Sequence, residues 1–377
     1  MTAPISRGTG QATVVLIGAG HAHLHVLKHA QLFRRPGIRL VLIAPARFDY
    51  SGLATGVLSG ALPPGEHNLD IAQLAASHRV EHHVVEAQDI DFKENFVRLA
   101  DGSPVAFDFL SLNVGSVVVD PSGLAALPGV VTVKPLSQLA DLRRQIETAA
   151  SAGDACPAIV VAGSGPTAFE IAAAIAGLSE RRGIAPLITV VGSIADADWA
   201  PRVALRAVTR RLARRRVRFH EGRVTGRTAA SCQLAAGEQL PCDILVMATG
   251  LRGAALAAEC GLPVDEHGRL RVTNQLCSVA TANVFATGDC SVIVGDERPA
   301  LGVFGVRAGP VLLHNLCAAA QGNALSSYRP QSRWLSVLDL GDRTALALYG
   351  AFWWLGWSPL WLKRWLDRRF LARHRVG

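Results

Sequence analysis

The sequence lacks the features that hold small secreted or metal-bound domains together. It has seven cysteines, none of them in a C-x-x-C pair or in a paired metal-ligand spacing. A disulphide framework is therefore not expected, and this cysteine usage suits a reducing compartment. The opening residues MTAPISRGTGQ contain no apolar run, so we expect a short lead-in rather than a secretory signal.

Acidic residues are in the minority. The chain has 30 Asp and Glu against 38 Lys and Arg, a net charge of +8. Such a balance suits nucleic acid, anionic lipid or an anionic small molecule, and the position of the charge has to decide among them. Arginine is dense in two segments, 202–218 and 363–375. Because no recognised nucleic-acid-binding module precedes either segment, no nucleic-acid partner is predicted.

What the chain does have is an apolar strand, a glycine-rich turn and a helix, twice over. The first copy is VVLIGAGHAH at 14–23, and a second buried strand follows at 38–45. The second copy lies at 158–178, followed by a strand at 187–193. Each copy reads as a βαβ half of an open parallel sheet.

The stretches that follow the two copies have the same layout. Residues 82–116 and 218–250 both read as strand, hairpin and returning buried strand, so the repeat has the size of a domain. The length of 377 residues suits two or three domains. We predict an α/β fold with two Rossmann-like dinucleotide-binding domains, the second inserted in the first.

The glycines of these turns point to nucleotide diphosphates. Gly18 permits a tight turn, and Gly20 lets the backbone approach a pyrophosphate held at a helix N-terminus. His23 stands where a third glycine is usual, and one such match is a weak signal. Gly163 and Gly165 repeat the pattern in the second copy, which favours two dinucleotide sites.

The acidic residue that usually binds a ribose hydroxyl at the end of the next strand is missing from both copies. Ala44–Pro45 stands there in the first copy and Gly192–Ser193 in the second. The choice between NADH and NADPH therefore stays open. Arginines of 202–218 are one source of charge for NADPH, although that segment is better explained as an amphipathic helix with a solvated arginine face.

Four histidines, His21, His23, His25 and His29, raise the question of a metal site. Only three of them would lie near one helix face, and some lie in the turn itself. A phosphate is the more natural partner for these imidazoles, so no metal is predicted.

The order of the motifs, ending in VFATGDC at 284–290, resembles the two-dinucleotide-domain flavoproteins. Within these the chain is similar to the type II NADH:quinone oxidoreductases and their sulfide:quinone relatives. GAGHAHLHVL and YSGLATGVLSG at 50–60 most resemble the flavoprotein module that some bacteria fuse to selenophosphate synthetase. The resemblance runs from about residue 12 to the C-terminus and implies FAD and NAD(P)H as cofactors.

The resemblance also implies which residues meet these cofactors. Asp289 matches an aspartate that touches the ribityl and phosphate region of FAD. The positions assigned to cofactor binding are Gly18, Gly20, His21, His23, Gly115, Gly163, Gly165, Pro166, Gly250, Gly288 and Asp289.

Three residues are candidates for the chemistry. Glu170 matches a helix glutamate near the flavin and nicotinamide. Lys134 lies where the chain crosses between domains, either close to the isoalloxazine or as an exposed hinge lysine. Arg307 lies in GVFGVRAGPVL, where the related enzymes carry two glutamines at the quinone pocket; it would donate to a quinone or flavin oxygen, or serve as a residue at a helix N-terminus.

The implied reaction passes a hydride from NAD(P)H to FAD and then electrons to a quinone-type acceptor. A sulfide or selenium compound as donor, or a flavin-binding sensor without turnover, are the alternatives. Cys156 and Cys290 do not match the sulfide:quinone pattern, and buried structural thiols are the simpler account.

The tail is rich in tryptophan and arginine. RTALALYG is expected to pair as a strand with RWLSVLDLG, and a helix to begin near Pro359. Its apolar stripe is predicted to be Trp361, Leu362, Trp365, Leu366 and Phe370, with Lys363, Arg364, Arg368, Arg369, Arg373 and Arg375 on the remainder. That composition is typical of a helix lying in a membrane interface, and so of a peripheral protein on the cytoplasmic face of the cell membrane. Packing between domains or in a homodimer is the alternative.

These expectations divide the chain into four parts. The FAD-binding domain takes 12–130 and 256–322, the second stretch ending in an apolar helix at 310–322 with a glycine stop. The NAD(P)-binding domain takes 131–255. A membrane-docking unit of small sheet and helix takes 323–377.

Overall fold

The computed structural model describes residues 11–34, 37–151 and 156–376, so all but the last residue of the predicted lead-in lies outside the described residues. The first part of the chain contains β1 (Thr13–Ile17), α1 (His21–Lys28), α2 (Gln31–Arg34), β2 (Arg39–Ile43), β3 (Arg47–Asp49), α3 (Ser51–Leu58), β4 (Asn68–Asp70), α4 (Ile71–Ser77), β5 (Glu81–His83), β6 (Ala87–Asp91), β7 (Phe96–Leu99), β8 (Pro104–Ala106), β9 (Phe109–Leu112) and β10 (Ser116–Val118). The middle part contains β11 (Val130–Thr132), α5 (Ser137–Ser151), β12 (Ala158–Ala162), α6 (Pro166–Arg182), β13 (Leu187–Gly192), α7 (Arg202–Arg214), β14 (Val217–Glu221), β15 (Val224–Arg227), β16 (Ser231–Leu234), β17 (Gln239–Pro241), β18 (Ile244–Met247) and β19 (Leu251–Gly253). The last part contains α8 (Leu256–Glu259), β20 (Leu270–Val272), β21 (Val284–Ala286), β22 (Ser291–Ile293), α9 (Gly302–Gln321), β23 (Leu335–Asp339), β24 (Ala345–Tyr349), β25 (Phe352–Gly356) and α10 (Trp357–His374).

The first large sheet is parallel and has the strand order β21-β9-β1-β2-β5. Its central strand β1 is almost entirely buried, which is why it reads as a continuous apolar run rather than an alternating one. Strand β21 joins this sheet only after the chain has built the second one. The second domain is therefore inserted in the first, as predicted.

The second large sheet is also parallel, with the order β11-β18-β12-β13-β14. Strand β12 is buried along its whole length. Antiparallel three-stranded sheets, β6-β7-β8 and β15-β16-β17, occupy equivalent places in the two domains. The predicted repeat of domain size is thus confirmed, and the fold is α/β with two Rossmann-like halves.

Helix α9 begins earlier than predicted. The expected start at Pro310 is wrong, because the helix begins at Gly302 and contains the proline; its end is confirmed by Gly322, which has φ +72°. A glycine-rich segment is helical here because it packs closely on α1. A Cβ on Gly309 would lie 2.9 Å from the Cβ of His25.

Helix α9 is also, among the described residues, the one long and apolar enough to cross a bilayer. Its packing against α1 and the first sheet explains that composition, since more than half of its apolar window is buried inside the protein. A core helix passes the same test of length and hydropathy, so the finding carries no membrane assignment.

The tail forms a three-stranded antiparallel sheet followed by α10. The pairing of β23 with β24 is confirmed. Strand β25 was not expected, and the helix begins at Trp357, two residues before Pro359. The aromatic run FWWLG is a strand because it pairs with β24 along its length.

The predicted separation of α10 into an apolar stripe and a basic remainder is wrong. Its inward face carries Lys363, Asp367 and Leu371, whereas Trp361 and Trp365 are exposed. The reason is long-range: distant polar groups meet the charged pair inside the protein, so the tryptophans remain on the outside. The tryptophans and arginines consequently share one exposed face instead of lying on opposite faces.

Candidate functional site

The first glycine turn lies between β1 and α1. Gly18 has φ +86°, and a Cβ there would lie 2.5 Å from the carbonyl oxygen of Asn113. A Cβ on Gly20 would lie 2.4 Å from the side-chain oxygen of the same asparagine. A side chain is therefore excluded at Gly18 by the left-handed backbone and by the close approach of Asn113, and at Gly20 by the close approach alone.

Asn113 ties this turn together. Its side-chain oxygen accepts hydrogen bonds from the amides of Ala22 (3.1 Å) and His23 (3.3 Å), and its amide group donates to the Thr287 carbonyl (2.7 Å). The asparagine follows β9 and so joins the ends of β9, β1 and β21. Sequence reasoning missed it, although a polar residue directly after a buried strand is a usable signal.

Polar groups at the turn remain available to a ligand. In the described part of the chain the amide of His21, the first residue of α1, has no protein acceptor. The buried hydroxyl of Thr287, next to Gly288, also has no partner. No acidic residue lies in the first turn of α1. These features fit a diphosphate at a helix N-terminus, with Gly18, Gly20 and His21 as the residues that would hold that of FAD.

The two predicted histidines have different surroundings. His23 is fully buried, donates through Nδ1 to the Gly18 carbonyl (2.6 Å) and accepts at Nε2 from the Ser111 hydroxyl (2.8 Å). Both ring nitrogens are thus engaged below the turn, and the side chain supports it from inside. His21 instead packs its ring among Phe48, Tyr50 and Phe370.

Lys134 and Asp289 form an ion pair beside Ser116. The lysine Nζ lies 2.7 Å from Asp289 Oδ2 and 2.7 Å from the Ser116 hydroxyl, which in turn donates to the same carboxylate oxygen (3.0 Å). Burial alone would raise the pKa of Asp289, but the Lys134 ammonium and the Ser116 hydroxyl hold it below its ordinary value. Lys134 is thus an ion-paired residue of the site rather than an exposed hinge lysine.

The second glycine turn borders an open cavity of about 500 Å³. Gly163 has φ +141°, and a Cβ there would lie 2.2 Å from the Ala248 carbonyl oxygen. A Cβ on Gly165 would meet no atom within 4 Å, so this residue faces free space at the N-cap of α6. Pro166 follows at the first helical position. The turn fits a second nucleotide diphosphate.

Gly250 and Gly115 are two further glycines predicted to contact a cofactor. Gly250 (φ +103°) lines the cavity at the second turn, and Gly115 (φ +76°) precedes β10. Leu251 lines both this cavity and a neighbouring one of about 290 Å³, which also contains Ser116 and Asp289. The cavity at the second turn therefore adjoins the cavity that contains Asp289 of the Lys134–Asp289 pair.

Glu170 lies where both domains and the tail meet. The Thr55 hydroxyl (3.0 Å) and the Asp339 amide (3.1 Å) both donate to its Oε1. Burial raises the pKa of the Glu170 carboxyl above its ordinary value, although the ammonium of Lys363 opposes the rise. The carboxyl is therefore suited to hold and release a proton at higher pH than an exposed glutamate.

A buried polar chain runs from this junction to the first turn. Lys363 Nζ contacts Asp367 (3.1 Å) and the Gly52 carbonyl (2.5 Å), and the Tyr50 hydroxyl donates to Asp367 (2.8 Å). Burial works to lower the pKa of Lys363, but the carboxylates of Asp367 and Glu170 raise it overall. Sequence reasoning missed this set, because its contacts span more than 300 residues.

The structure does not bring Arg307 into this set. It is exposed on α9, and among the described residues no hydrogen bond or ion pair joins it to Glu170, Lys134 or Asp289. Cys290 is buried and its thiol pKa is raised to about 11 by that burial, whereas Cys156 is exposed before β12. In the described part of the chain no group of three or more metal-ligating side chains is arranged around a common point.

Solved structures share the fold of most of this chain. The sulfide:quinone oxidoreductase of Aquifex aeolicus matches with a TM-score of 0.79 at 16% identity, over 97% of this chain and 91% of that one. The ferredoxin reductase for the CYP199A2 system of Rhodopseudomonas palustris matches with a TM-score of 0.74 at 22% identity, over 90% of this chain and 82% of that one. At such identities the likeness is one of fold.

The curated sequence relatives match a smaller part of the chain than the solved structures do. Rubredoxin-NAD(+) reductase of Ectopseudomonas oleovorans is 27% identical over 222 residues, which are 54% of this chain and 51% of that protein. The chain thus spans about half the length of the curated relatives it matches. A far longer match, over residues 12–310, is to the family described as pyridine nucleotide-disulphide oxidoreductase. The chain belongs to this family of oxidoreductases, whose cofactors are FAD and NAD(P)H.

Proposed function

We propose that this protein is an NAD(P)H dehydrogenase that passes electrons through FAD to a quinone-type acceptor at a membrane surface. One observation carries the proposal: α10 presents tryptophans and arginines outward and, from its other face, Lys363 and Asp367 to the junction that holds Glu170. A single helix thus links an exposed apolar and basic surface to the polar groups between the two nucleotide turns.

The two turns supply binding and orientation. Gly163 and Gly165 admit the diphosphate of the nicotinamide nucleotide to the open cavity, which adjoins the Lys134–Asp289 pair through Leu251. FAD, when bound, supplies hydride acceptance and one- or two-electron release. The protein residues position the two nucleotides relative to each other.

Reduction of a quinone to a quinol consumes two protons, whereas NAD(P)H provides one with its hydride. The second proton has to come from a protein acid or from solvent. Glu170 is the candidate, since burial raises its pKa and its carboxyl interacts with the buried ammonium of Lys363 on α10. Thr55 and the Asp339 amide hold the carboxyl in place through Oε1.

The exposed face of α10 has the composition of a membrane-interface surface. Trp357 and Trp361 are 73% and 63% exposed. The guanidinium of Arg369 lies 5.3 Å from the ring centroid of Trp365, and further arginines line the same open groove. Aromatic rings favour the headgroup boundary, and arginines add attraction to anionic lipid, which supports peripheral attachment at the cytoplasmic membrane face.

Anaerobic spectroscopy tests the reaction. Addition of NADPH, or separately NADH, to the purified yellow protein should bleach the flavin absorbance, and a short-chain quinone should restore it. Colourless protein that cannot take up FAD would contradict the flavoprotein reaction. Bleaching without recovery on quinone would contradict the acceptor.

Vesicle binding tests the surface. Replacing Trp357 and Trp361 together with alanine should lower the partition coefficient onto anionic vesicles at least about tenfold, since burying one large apolar side chain contributes about 2 kcal/mol. The measurement is cosedimentation with phosphatidylglycerol-containing vesicles. Val279→Ser, at an exposed apolar residue far along the chain from α10, is the matched control and should bind like the unaltered protein. Equal binding of the double variant would contradict the assignment of this face.

A further inference from the structure

We propose that Arg223 makes NADPH the preferred donor by binding its 2′-phosphate. The inference rests on the proposed function for the cavity at the second turn. It deepens that function by naming the substrate, which the glycine motifs leave open between the two nicotinamide nucleotides.

Arg223 is the charged residue of this cavity. The residues that line it are otherwise glycines, small polar residues and apolar residues, with no carboxylate among them. NADH-binding sites of this fold usually place an acidic residue against the ribose 2′-hydroxyl, whereas NADPH sites place an arginine nearby. This cavity, with an arginine and no carboxylate in its lining, has the composition of an NADPH site.

The end of β13 marks where the adenosine ribose belongs. Gly192 lies against the second turn, because a Cβ there would be 2.8 Å from the backbone of Gly163. Ser193 follows and lines the cavity with a short neutral hydroxyl. A phosphate on the ribose would therefore meet neither a bulky nor a negative side chain at this position.

Arg223 is anchored beside this strand end. The Gly222 amide donates to the Gly192 carbonyl (3.4 Å), so Arg223 follows directly after the point where the two segments meet. Its own carbonyl accepts from Ala235 (2.8 Å), which fixes the backbone at the start of β15. In the described part of the chain its guanidinium makes no hydrogen bond or ion pair. The guanidinium is therefore free to donate hydrogen bonds to a ligand, while the backbone of Arg223 is held in place.

Nearby carboxylates do not compete for this space. Both oxygens of Glu221 accept hydrogen bonds from loop amides, Ile194 (3.1 Å) and Ala195 (2.8 Å). Asp196 and Asp198 lie exposed in that loop and do not line the cavity. The charge at the cavity wall therefore remains that of Arg223.

The arginines of α7 are not the source of this charge. Two arginines of the segment 202–218 are engaged elsewhere, since Arg211 of α7 pairs with Asp342 and Arg215, directly after the helix, pairs with Glu180. No residue of α7 lines the cavity. The suggestion from the sequence that 202–218 supplies the phosphate contact is therefore replaced by Arg223.

Equilibrium binding of NADP⁺ and NAD⁺ to the full chain, measured by calorimetry, tests the inference without turnover. NADP⁺ should bind at least about tenfold more tightly than NAD⁺, and Arg223→Gln should reduce that ratio about 10- to 100-fold, the range of a charge-assisted hydrogen bond to phosphate. Arg223→Lys should retain part of the preference. Ser193→Asp should weaken NADP⁺ more than NAD⁺ because it sets a carboxylate at the ribose.

Arg210→Gln is the matched control, since Arg210 is exposed on α7 and outside the cavity; it should keep the ratio of the unaltered protein. At equal low concentrations of the reduced nucleotides, the flavin should likewise bleach faster with NADPH than with NADH. Equal or tighter binding of NAD⁺, or an unchanged ratio in Arg223→Gln, would overturn this inference alone. A protein that binds neither nucleotide would overturn the proposed function as well.

Discussion

Replacing Gly165 with valine is expected to leave the protein folded and yellow, but to slow its reduction by NADPH or NADH at least about 100-fold, because positioning of the donor is lost. A Cβ at this position meets no atom within 4 Å, and the backbone there has φ −77°, which any residue adopts. The added side chain would instead occupy the space over the N-terminus of α6 that a diphosphate needs. Stopped-flow bleaching and the thermal midpoint measure the two effects separately.

The neighbouring glycine provides the contrast. In Gly163→Ala the new methyl group would lie 2.2 Å from the Ala248 carbonyl oxygen, on a backbone with φ +141°. That substitution should therefore lower the thermal midpoint or the yield of folded protein. Unchanged reduction of Gly165→Val by both nucleotides would mean that no diphosphate crosses this turn.

These turns show what local sequence contains. An apolar strand, two glycines and a helix start are contiguous in the chain, and the backbone requirement at Gly18 and Gly163 depends mainly on the turn itself. The sequence therefore predicts both turns, both parallel sheets and the insertion of one domain in the other. Asp289 is predicted from the resemblance, but its partner Ser116 is not, since the two residues lie in segments that are far apart in the chain.

The tail shows what local sequence does not contain. Helical spacing alone predicts that the tryptophans of α10 share a membrane-facing apolar stripe from which the arginines are separated. The orientation of the helix is instead set by Tyr50, Gly52 and Glu170, which lie far away along the chain. A charged pair with such partners is stabilised inside, and without them it would face water. The start of α9 is predicted wrongly for a related reason. Its glycines are explained by close packing against α1, which the local sequence does not show.

The protein should also lose stability steeply in mild acid because of His23. Burial lowers the pKa of this imidazole from 6.5 to about 4, so it is uncharged in the folded protein at neutral pH. Between these two values the unfolded chain binds a proton that the folded chain does not. The free energy of unfolding therefore falls as the pH is lowered from about 6.5 towards 4, by about 3 kcal/mol for this residue.

Urea unfolding at pH 7.0, 5.5 and 4.5 measures the effect, and His23→Gln isolates it. The variant keeps a donor for the Gly18 carbonyl but cannot gain a charge, so its free energy of unfolding should depend less on pH than that of the unaltered protein. His267→Gln, at an exposed histidine, is the control and should keep the original slope. Because His23 supports the first turn from below, bound FAD should be released over the same pH range. If the free energy of unfolding depended on pH equally in His23→Gln and in the unaltered protein, the His23 imidazole would not be the neutral group that supports the first turn.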